Sequence, residues 1–412
     1  MIESTPSAPP AQRRPSSHVE WTEARLENHE LNLREFEQRA TRLHSLPRVL
    51  FVELTENCNL SCPMCRSAGK FDRSRNMSQE LFDRIAHELF PTAEIVDLRG
   101  WGESTILKNF PRFVDQTLDY GCRVRMVTNL TAFHEATWRK LVRSGALISV
   151  SFDAGERETF GKVRRGADMN VVLRNLEVLV DEAHASGVGT GNIHLNVTVQ
   201  PAALDELTTI AKHAARLGVG MHLSPITLPD GHPDQLLYHR PEVLRALAEL
   251  AEVAESTEVD VQLNTALDEL WADDDTANKT CTHPWMYLYV NYRGGVGFCD
   301  HLIGSPAEHH LVGDLNTAGL REIWNNEQYL SLRAQHGAGR EHIDPKFEDC
   351  RWCYRNRYLD FDHESYQPYE KHRTRLTRSL CASFVPGPAI APPGSRLLPL
   401  SVRPAPAAEG EQ

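Results

Sequence analysis

From residue 49 to about 226 the chain alternates strand and helix, and this constrains its fold more than any other feature. Strand-like runs cover 50–55, 95–99, 123–128, 147–152, 193–199 and 220–224. Helical periodicity fills the gaps. In 79–90, Leu81, Phe82, Ile85 and Leu89 share a face behind Ser78 as N-cap. In 203–217, Leu204, Leu207, Ile210, Ala211, Ala214 and Leu217 do the same before Gly218 as the stop. Strand–helix units in series imply an α/β fold with a parallel sheet and right-handed crossovers. Six units are too few to close an eight-stranded barrel, so the expectation is a curved, open, partial (β/α)6 barrel.

The strands themselves are two-faced. His194, Asn196, Thr198 and Gln200 alternate with Ile193, Leu195, Val197 and Val199, and Ser149, Ser151 and Asp153 alternate with Ile148, Val150 and Phe152. A parallel strand covered on both sides should be apolar on both. A polar, hydrated lumen that holds ligands resolves the conflict; satisfied buried hydrogen bonds are the alternative.

The loop after the first strand reads Thr-Glu-Asn-Cys58-Asn-Leu-Ser-Cys62-Pro-Met-Cys65. Three thiolates this close can hold three irons of a four-iron cluster and leave the fourth open for a small ligand. A zinc knuckle or a four-cysteine cluster needs a nearby fourth ligand, and no cysteine follows until Cys122. Composition agrees with metal binding in a reducing compartment. Nine cysteines sit largely at ligand spacings, and residues 1–17 lack an apolar secretion segment, so a cytoplasmic protein is expected. A net charge of −12 argues against nucleic acid as a partner. No apolar run approaches the roughly 18–20 residues that span a membrane.

This CxxxCxxC loop resembles that of the radical S-adenosylmethionine (SAM) superfamily, with Met64 where an aromatic is usual. The resemblance spans 49 to about 226 and rests on joint placement at the carboxyl ends of the strands. Gly100-Trp101-Gly102-Glu103 resembles the GGE motif that contacts the SAM amino group. Asn129 ends strand three in a Thr-Asn-Leu run where relatives read TNG, and Ser151-Phe152-Asp153 falls where the family places polar contacts to SAM. Lys162-Val163-Arg164-Arg165-Gly166 resembles the segment supplying an arginine to the SAM carboxylate; the sequence does not choose between Arg164 and Arg165. The resemblance implies a [4Fe–4S] cluster on Cys58, Cys62 and Cys65 that binds SAM. It also implies a 5′-deoxyadenosyl radical that removes hydrogen from substrate, and an external one-electron donor such as flavodoxin or ferredoxin.

Four later cysteines, Cys281, Cys299, Cys350 and Cys353, lie around a predicted hairpin and a Gly313-Asp314-Leu315 run leading into a helix with Leu320, Ile323 and Trp324. This resembles the SPASM/twitch extension. Its twitch form implies one auxiliary [4Fe–4S] cluster with four cysteine ligands; zinc is the alternative metal. His283 and His301 keep mixed ligation open. The expected organisation is a disordered tail (1–17), an N-terminal helical segment read as a solvated packing helix (18–45), the partial barrel (46–230), a helical linker (231–270), the SPASM/twitch domain (271–375) and a disordered tail (385–412).

A fully ligated auxiliary cluster can accept an electron, so the resemblance favours a dehydrogenase that oxidises a secondary alcohol on a small sugar-like or aminocyclitol substrate. Epimerisation needs a thiol that returns hydrogen, and Cys122 and Cys381 are poorly placed for it. Maturation of a ribosomally made peptide is a second enzyme class, and a metal-binding regulator the non-enzyme one. Lumen candidates for a proton acceptor are His194, Asn196 and His222, with Arg99 and Arg125 also facing in.

Overall fold

The computed structural model describes residues 18–65, 71–228, 232–264, 267, 270, 280–299, 310–347, 350–351 and 373–384. The six expected strands are present: β1 (Val49–Val52), β2 (Ile95–Asp97), β3 (Arg123–Thr128), β4 (Leu147–Ser151), β5 (Ile193–Val199) and β6 (Gly220–Pro225). They lie side by side in chain order and pair in parallel. Helices intervene: α2 (Gln79–Leu89), α3 (Phe110–Asp119), α4 (Glu135–Arg143), α5 (Arg157–Val163), α6 (Met169–Ala185) and α7 (Leu207–Leu217). Ser78 caps α2 by accepting from Leu81 N–H at 3.2 Å. Gly218 ends α7 at φ +65°, a conformation that costs glycine little. Residues 201–206, expected as the start of that helix, form a separate 3-10 turn kinked at Ala203.

Strands continue on both sides of this set. Helix α8 (Arg240–Thr257) occupies the segment expected as a helical linker, but β7 (Val261–Asn264) follows it and pairs in parallel with β6. Its four residues are too short to show a period against the helix before them. On the other side, α9 (His283–Met286) leads into β8 (Tyr287–Val290), which pairs in parallel with β1 and turns back through β9 (Gly295–Gly297) and β10 (Gly313–Asp314). Strand β11 (Arg373–Arg375) runs antiparallel to β7. The described strands thus form one sheet in the order β10-β9-β8-β1-β2-β3-β4-β5-β6-β7-β11. Among the described residues no helix is long and apolar enough to cross a membrane.

The N-terminal segment includes a helix with one exposed and one packed face, and the packed face is polar. In α1 (Glu23–Glu37) the buried residues are mostly polar: Arg25, Asn28, Asn32 and Glu35. Arg25 donates to the carbonyls of Ala93 (2.6 Å), Phe90 (2.9 Å) and Tyr120 (2.8 Å), closing the amino-terminal end of the sheet. Asn32 reaches Trp285 O at 2.8 Å, and Glu35 accepts from His44 N–H and Ser45 N–H. The following segment meets α10 (Leu320–Trp324) and α11 (Glu327–Ala338) of the carboxyl-terminal half. Trp324 Nε1 donates to Ser45 O at 2.9 Å, and buried Arg333 bridges Thr41 O, Pro284 O and Trp324 O. A helix whose inward face is polar defeats a reading based on apolar periodicity.

Replacing Arg25 would strand several buried carbonyls. Arg25→Met is expected to lower stability by about 2–4 kcal/mol, read as a drop in the urea midpoint. A change within about 0.5 kcal/mol would contradict this role.

Candidate radical and auxiliary metal sites

The cysteine loop is held from several sides by backbone. Beyond β1, Met77 N–H donates to Leu54 O (2.8 Å) and Glu56 N–H to Arg75 O (3.2 Å), while Asn57 exchanges hydrogen bonds with Asp72. The loop after β2 lies along the same segment: Gly102 N–H donates to Thr55 O (3.2 Å) and Glu103 N–H to Asn57 O (2.8 Å). A Cβ at Gly102 would stand 2.3 Å from Asn57 O and 2.6 Å from Thr55 O, so only glycine fits. From the far side, Ser61 N–H donates to Arg165 O at 3.0 Å, and Gly166, at φ +100°, sits against Leu60.

These braces gather the chemistry. Cys62 is buried, and Cys58 and Cys65 are half-buried. Burial pushes the Cys58 thiol up to about 11, with the Leu60 N–H opposing and the charges of Glu103, Cys65 and Cys62 adding to it. Burial also raises the Cys62 thiol, against the nearby Arg164 guanidinium. N–H groups aim at sulfur: Leu60 N–H at 3.4 Å and Asn129 Nδ2 at 3.8 Å from Cys58 Sγ. Such donors suit thiolate ligands of a cluster.

The structure separates the two arginines. Arg164 Nε lies 2.6 Å from Asp153 Oδ2 and near Cys62, whereas Arg165 is exposed and lends only its carbonyl. Asp153 is fully buried and also accepts from Thr198 N–H at 2.7 Å, which ties β4 to β5. Glu103 is largely committed within the protein. Its Oε1 accepts from Thr105 Oγ1 and Thr128 Oγ1 (2.7 and 2.8 Å), and its Oε2 from Asn129 N–H (2.6 Å). One lone pair of Oε2 remains for an ammonium group. Gly100 faces Glu53, whose Cγ would stand 2.4 Å from a Cβ there. Leu130, where the resemblance to the TNG run leads one to expect glycine, holds φ +54°.

The inner face of the sheet is polar, as the alternation predicts. Along β5, Ile193, Leu195, Val197 and Val199 are buried while His194, Asn196 and Thr198 are half-exposed. Register places Ser149 beside His194, Ser151 beside Asn196, and Asn196 beside His222. Ser149 Oγ and His194 Nε2 are 2.6 Å apart, and the His194 and His222 rings meet with centroids at 3.4 Å. Gln200 Nε2 is buried with no hydrogen-bond partner among the described residues, consistent with a face built for a ligand. Arg99 and Arg125 both flank Asp97 on this face.

In the carboxyl-terminal half, Cys281, Cys299 and Cys350 are all buried; Cys353 and His301 lie outside the described residues. No described cysteine is in a disulfide. The β8–β9 hairpin carries Cys299 just past its second strand, with Val290 opposite Val296. Gly313 must be glycine because a Cβ would stand 2.5 Å from Ile323 of α10. His283 is buried against Tyr287. Among the described cysteines outside these sets, Cys122 lies at the amino-terminal end of β3, pointing at Phe90 O and Ala93 O, and Cys381 in α12 (Arg378–Ala382) points at Leu247 O of α8. Sequence reasoning missed the bracing residues Thr55 and Asn57, whose side chains donate to Arg75 O and Asp72 O, since nothing local marks a side chain that caps a distant loop.

Two outcomes follow. Gly102→Ala would displace the cysteine loop, so iron in the reconstituted protein should fall by about four per chain. Gly191→Ala, which meets nothing within 4 Å, should leave it unchanged. Burial raises the Glu53 carboxyl from 4.5 to about 8, with the Trp101 N–H opposing and Glu56 adding. Below its unfolded value the group is protonated in both states; as pH rises toward 8 only the unfolded chain ionises, so stability falls. The urea-midpoint advantage of Glu53→Gln over wild type should therefore grow from about pH 5 to 8; a constant difference would contradict it.

Residues 52–200 match the family model of the radical SAM superfamily, and residues 281–354 match SPASM, an iron-sulfur cluster-binding domain. The chain is similar to the tungsten-containing aldehyde ferredoxin oxidoreductase cofactor-modifying protein of Pyrococcus furiosus, 24% identical over 320 residues, 74% of this chain and 87% of the relative. It is also similar to mycofactocin maturase MftC of Mycolicibacterium smegmatis, 29% identical over 313 residues, 74% of this chain and 77% of the relative. The SAM-bound structure of Streptococcus suis SuiB shares the fold, with a TM-score of 0.56 at 13% identity over 75% of this chain and 72% of that one. The two matched domains imply SAM, a SAM-binding [4Fe–4S] cluster and auxiliary iron–sulfur chemistry. Over these two segments the chain carries a radical SAM domain followed by a SPASM domain.

Proposed function

We propose that this protein oxidises a secondary alcohol of a small hydroxylated substrate held against the inner face of the sheet. When bound, SAM and the two clusters would supply hydrogen-atom abstraction and an acceptor for the second electron, and the protein supplies position and shielding from water. In this reading Cys58, Cys62 and Cys65 hold the SAM-binding cluster. Glu103 Oε2, the backbone at Gly100 and Gly102, Asn129, Ser151, Asp153 and Arg164 surround SAM. Cys281, Cys299, Cys350 and Cys353 hold the auxiliary cluster. A one-electron donor such as flavodoxin or ferredoxin would start each turnover.

One observation carries the choice of oxidation: the described cysteines outside the two ligand sets, Cys122 and Cys381, both point at backbone carbonyls away from the inner face. Burial raises both thiols further, to about 12 and about 11. Neither is placed to return hydrogen to a substrate carbon, as an epimerase would require. The conversion of alcohol to ketone also releases a proton. His194, hydrogen-bonded to Ser149 and packed on the His222 ring, would stand as the base that takes it, with Asn196 beside His222 orienting the hydroxyl.

Peptide maturation is the second reading, favoured by the similarity to the maturase MftC over most of both chains. The two part in the assay. Under anaerobic reduction, oxidation predicts one SAM consumed per ketone formed from a hydroxylated small molecule, and His194→Ala should slow it by about 100-fold or more. Solvent deuterium at an inverted carbon would instead establish epimerisation. Turnover only with a peptide would establish maturation.

A further inference from the structure

We propose that Asn129 donates a hydrogen bond to Cys58 and so raises the reduction potential of the SAM-binding cluster. Thr131 and Asn59 hold the Asn129 amide in the sense this requires. Asn129 directly follows β3 and is 6% exposed, and Glu103 Oε2 accepts from its backbone N–H at 2.6 Å. Its Nδ2 stands 3.8 Å from Cys58 Sγ, within reach of the large sulfur atom, and 3.0 Å from Asn59 Oδ1. Its Oδ1 lies 3.0 Å from Thr131 N and 2.7 Å from Thr131 Oγ1.

One backbone group fixes the orientation. An amide can be turned end for end, so its neighbours decide which end is oxygen. Thr131 N–H can only donate, so the atom it meets is the Asn129 oxygen, and the nitrogen faces Cys58 and Asn59. Asn59 then turns its oxygen to Asn129 and its Nδ2 to Thr131 Oγ1, at 2.7 Å. The three side chains close a ring in which each donates to the next: Asn129 to Asn59, Asn59 to Thr131, Thr131 to Asn129. Leu130, at φ +54°, turns the chain so that Thr131 N–H returns onto the Asn129 side chain.

The ring leaves the amide no spare capacity. An asparagine side chain offers two N–H donors and two acceptor lone pairs. Here the lone pairs take Thr131 N–H and Thr131 Oγ1, and the donors go to Asn59 and Cys58. Nothing on the side chain remains for SAM, so it acts on the cluster ligand instead. Cys58 Sγ also meets Leu60 N–H at 3.4 Å, but that donor belongs to the cysteine loop itself, whereas Asn129 comes from another strand. A donor at a ligating sulfur draws electron density from the thiolate and favours the cluster carrying the extra electron. Asn129 thereby eases the reduction that precedes SAM cleavage. Only the assignment of Cys58 as a ligand of the SAM-binding cluster is needed here; the reaction on substrate is not.

The test is an anaerobic redox titration of the reconstituted full chain without SAM, followed by electron paramagnetic resonance. A parallel sample with SAM identifies the signal of the SAM-binding cluster as the one SAM perturbs. In Asn129→Leu the ratio of reduced to oxidised cluster at a fixed potential should fall about fivefold. Thr131→Val keeps the shape but loses the hydroxyl, and should move the ratio the same way by about threefold. Thr131→Ser keeps the hydroxyl and should match the wild type. A signal that SAM does not perturb should keep its midpoint in every variant. Iron content checks that each variant holds its clusters; if Asn129→Leu loses iron, the two Thr131 variants decide. Three results would each overturn the role given to Asn129: an unmoved midpoint in an iron-replete Asn129→Leu or Thr131→Val, a Thr131→Ser midpoint shifted as far as that of Thr131→Val, or lost SAM affinity with no change in midpoint. A wild-type protein without a signal that SAM perturbs would instead refute Cys58 as a cluster ligand, so the two can fail separately.

Discussion

The parallel pairing of β1 with β8 sets the geometry on which the rest depends. Val49 to Val52 lie in register with Tyr287 to Val290, and Glu53 N–H continues the ladder to Val290 O at 2.9 Å. The strand that leads into the first cysteine loop is thereby the neighbour of a strand that lies between Cys281 and Cys299 of the second cysteine set. Tyr292 Oη, 3.3 Å from Glu56 Oε2, adds a contact between the two loops. Two metal-binding halves far apart in sequence become adjoining parts of one sheet, with the polar face of that sheet shared between them.

Such a join needs support at its closed end, and the amino-terminal segment provides it. Arg25 gathers carbonyls from the bases of neighbouring βα units, while Asn32, Ser45 and Arg333 connect this segment to Trp285 and Trp324 of the carboxyl-terminal half. Buried polar contacts of this kind gain little net energy each but are costly to break, so they specify one arrangement. At the open end, by contrast, the site is built from loops held by backbone hydrogen bonds and by glycines that let those loops touch. Rigid strands deliver the loops, and the loops carry the chemistry.

The six central strands, the polar face of β5 and the cysteine sets were legible in the sequence because each is a local pattern: alternation, periodicity or spacing. The hairpin before Cys299 and the helix carrying Trp324 were legible for the same reason. What stayed hidden depends on contacts between distant segments. The ion pair that sets Arg164 apart from Arg165 follows from Asp153, a strand away. The commitment of Glu103 to Thr105, Thr128 and Asn129 follows from the packing of two loops. The buried polar face of α1 is invisible to any rule that equates burial with apolar character, and β7 is too short to announce itself after a long helix.

The central claim of the proposed function is that the chain holds two iron–sulfur clusters. Anaerobic reconstitution followed by iron, sulfide and zinc analysis tests it most directly. The account predicts about eight irons and eight sulfides per chain, falling to about four in a Cys281→Ala/Cys299→Ala variant that keeps its SAM-binding cluster. About four irons with one bound zinc in the wild type would contradict it, because zinc cannot accept the electron that alcohol oxidation must discharge.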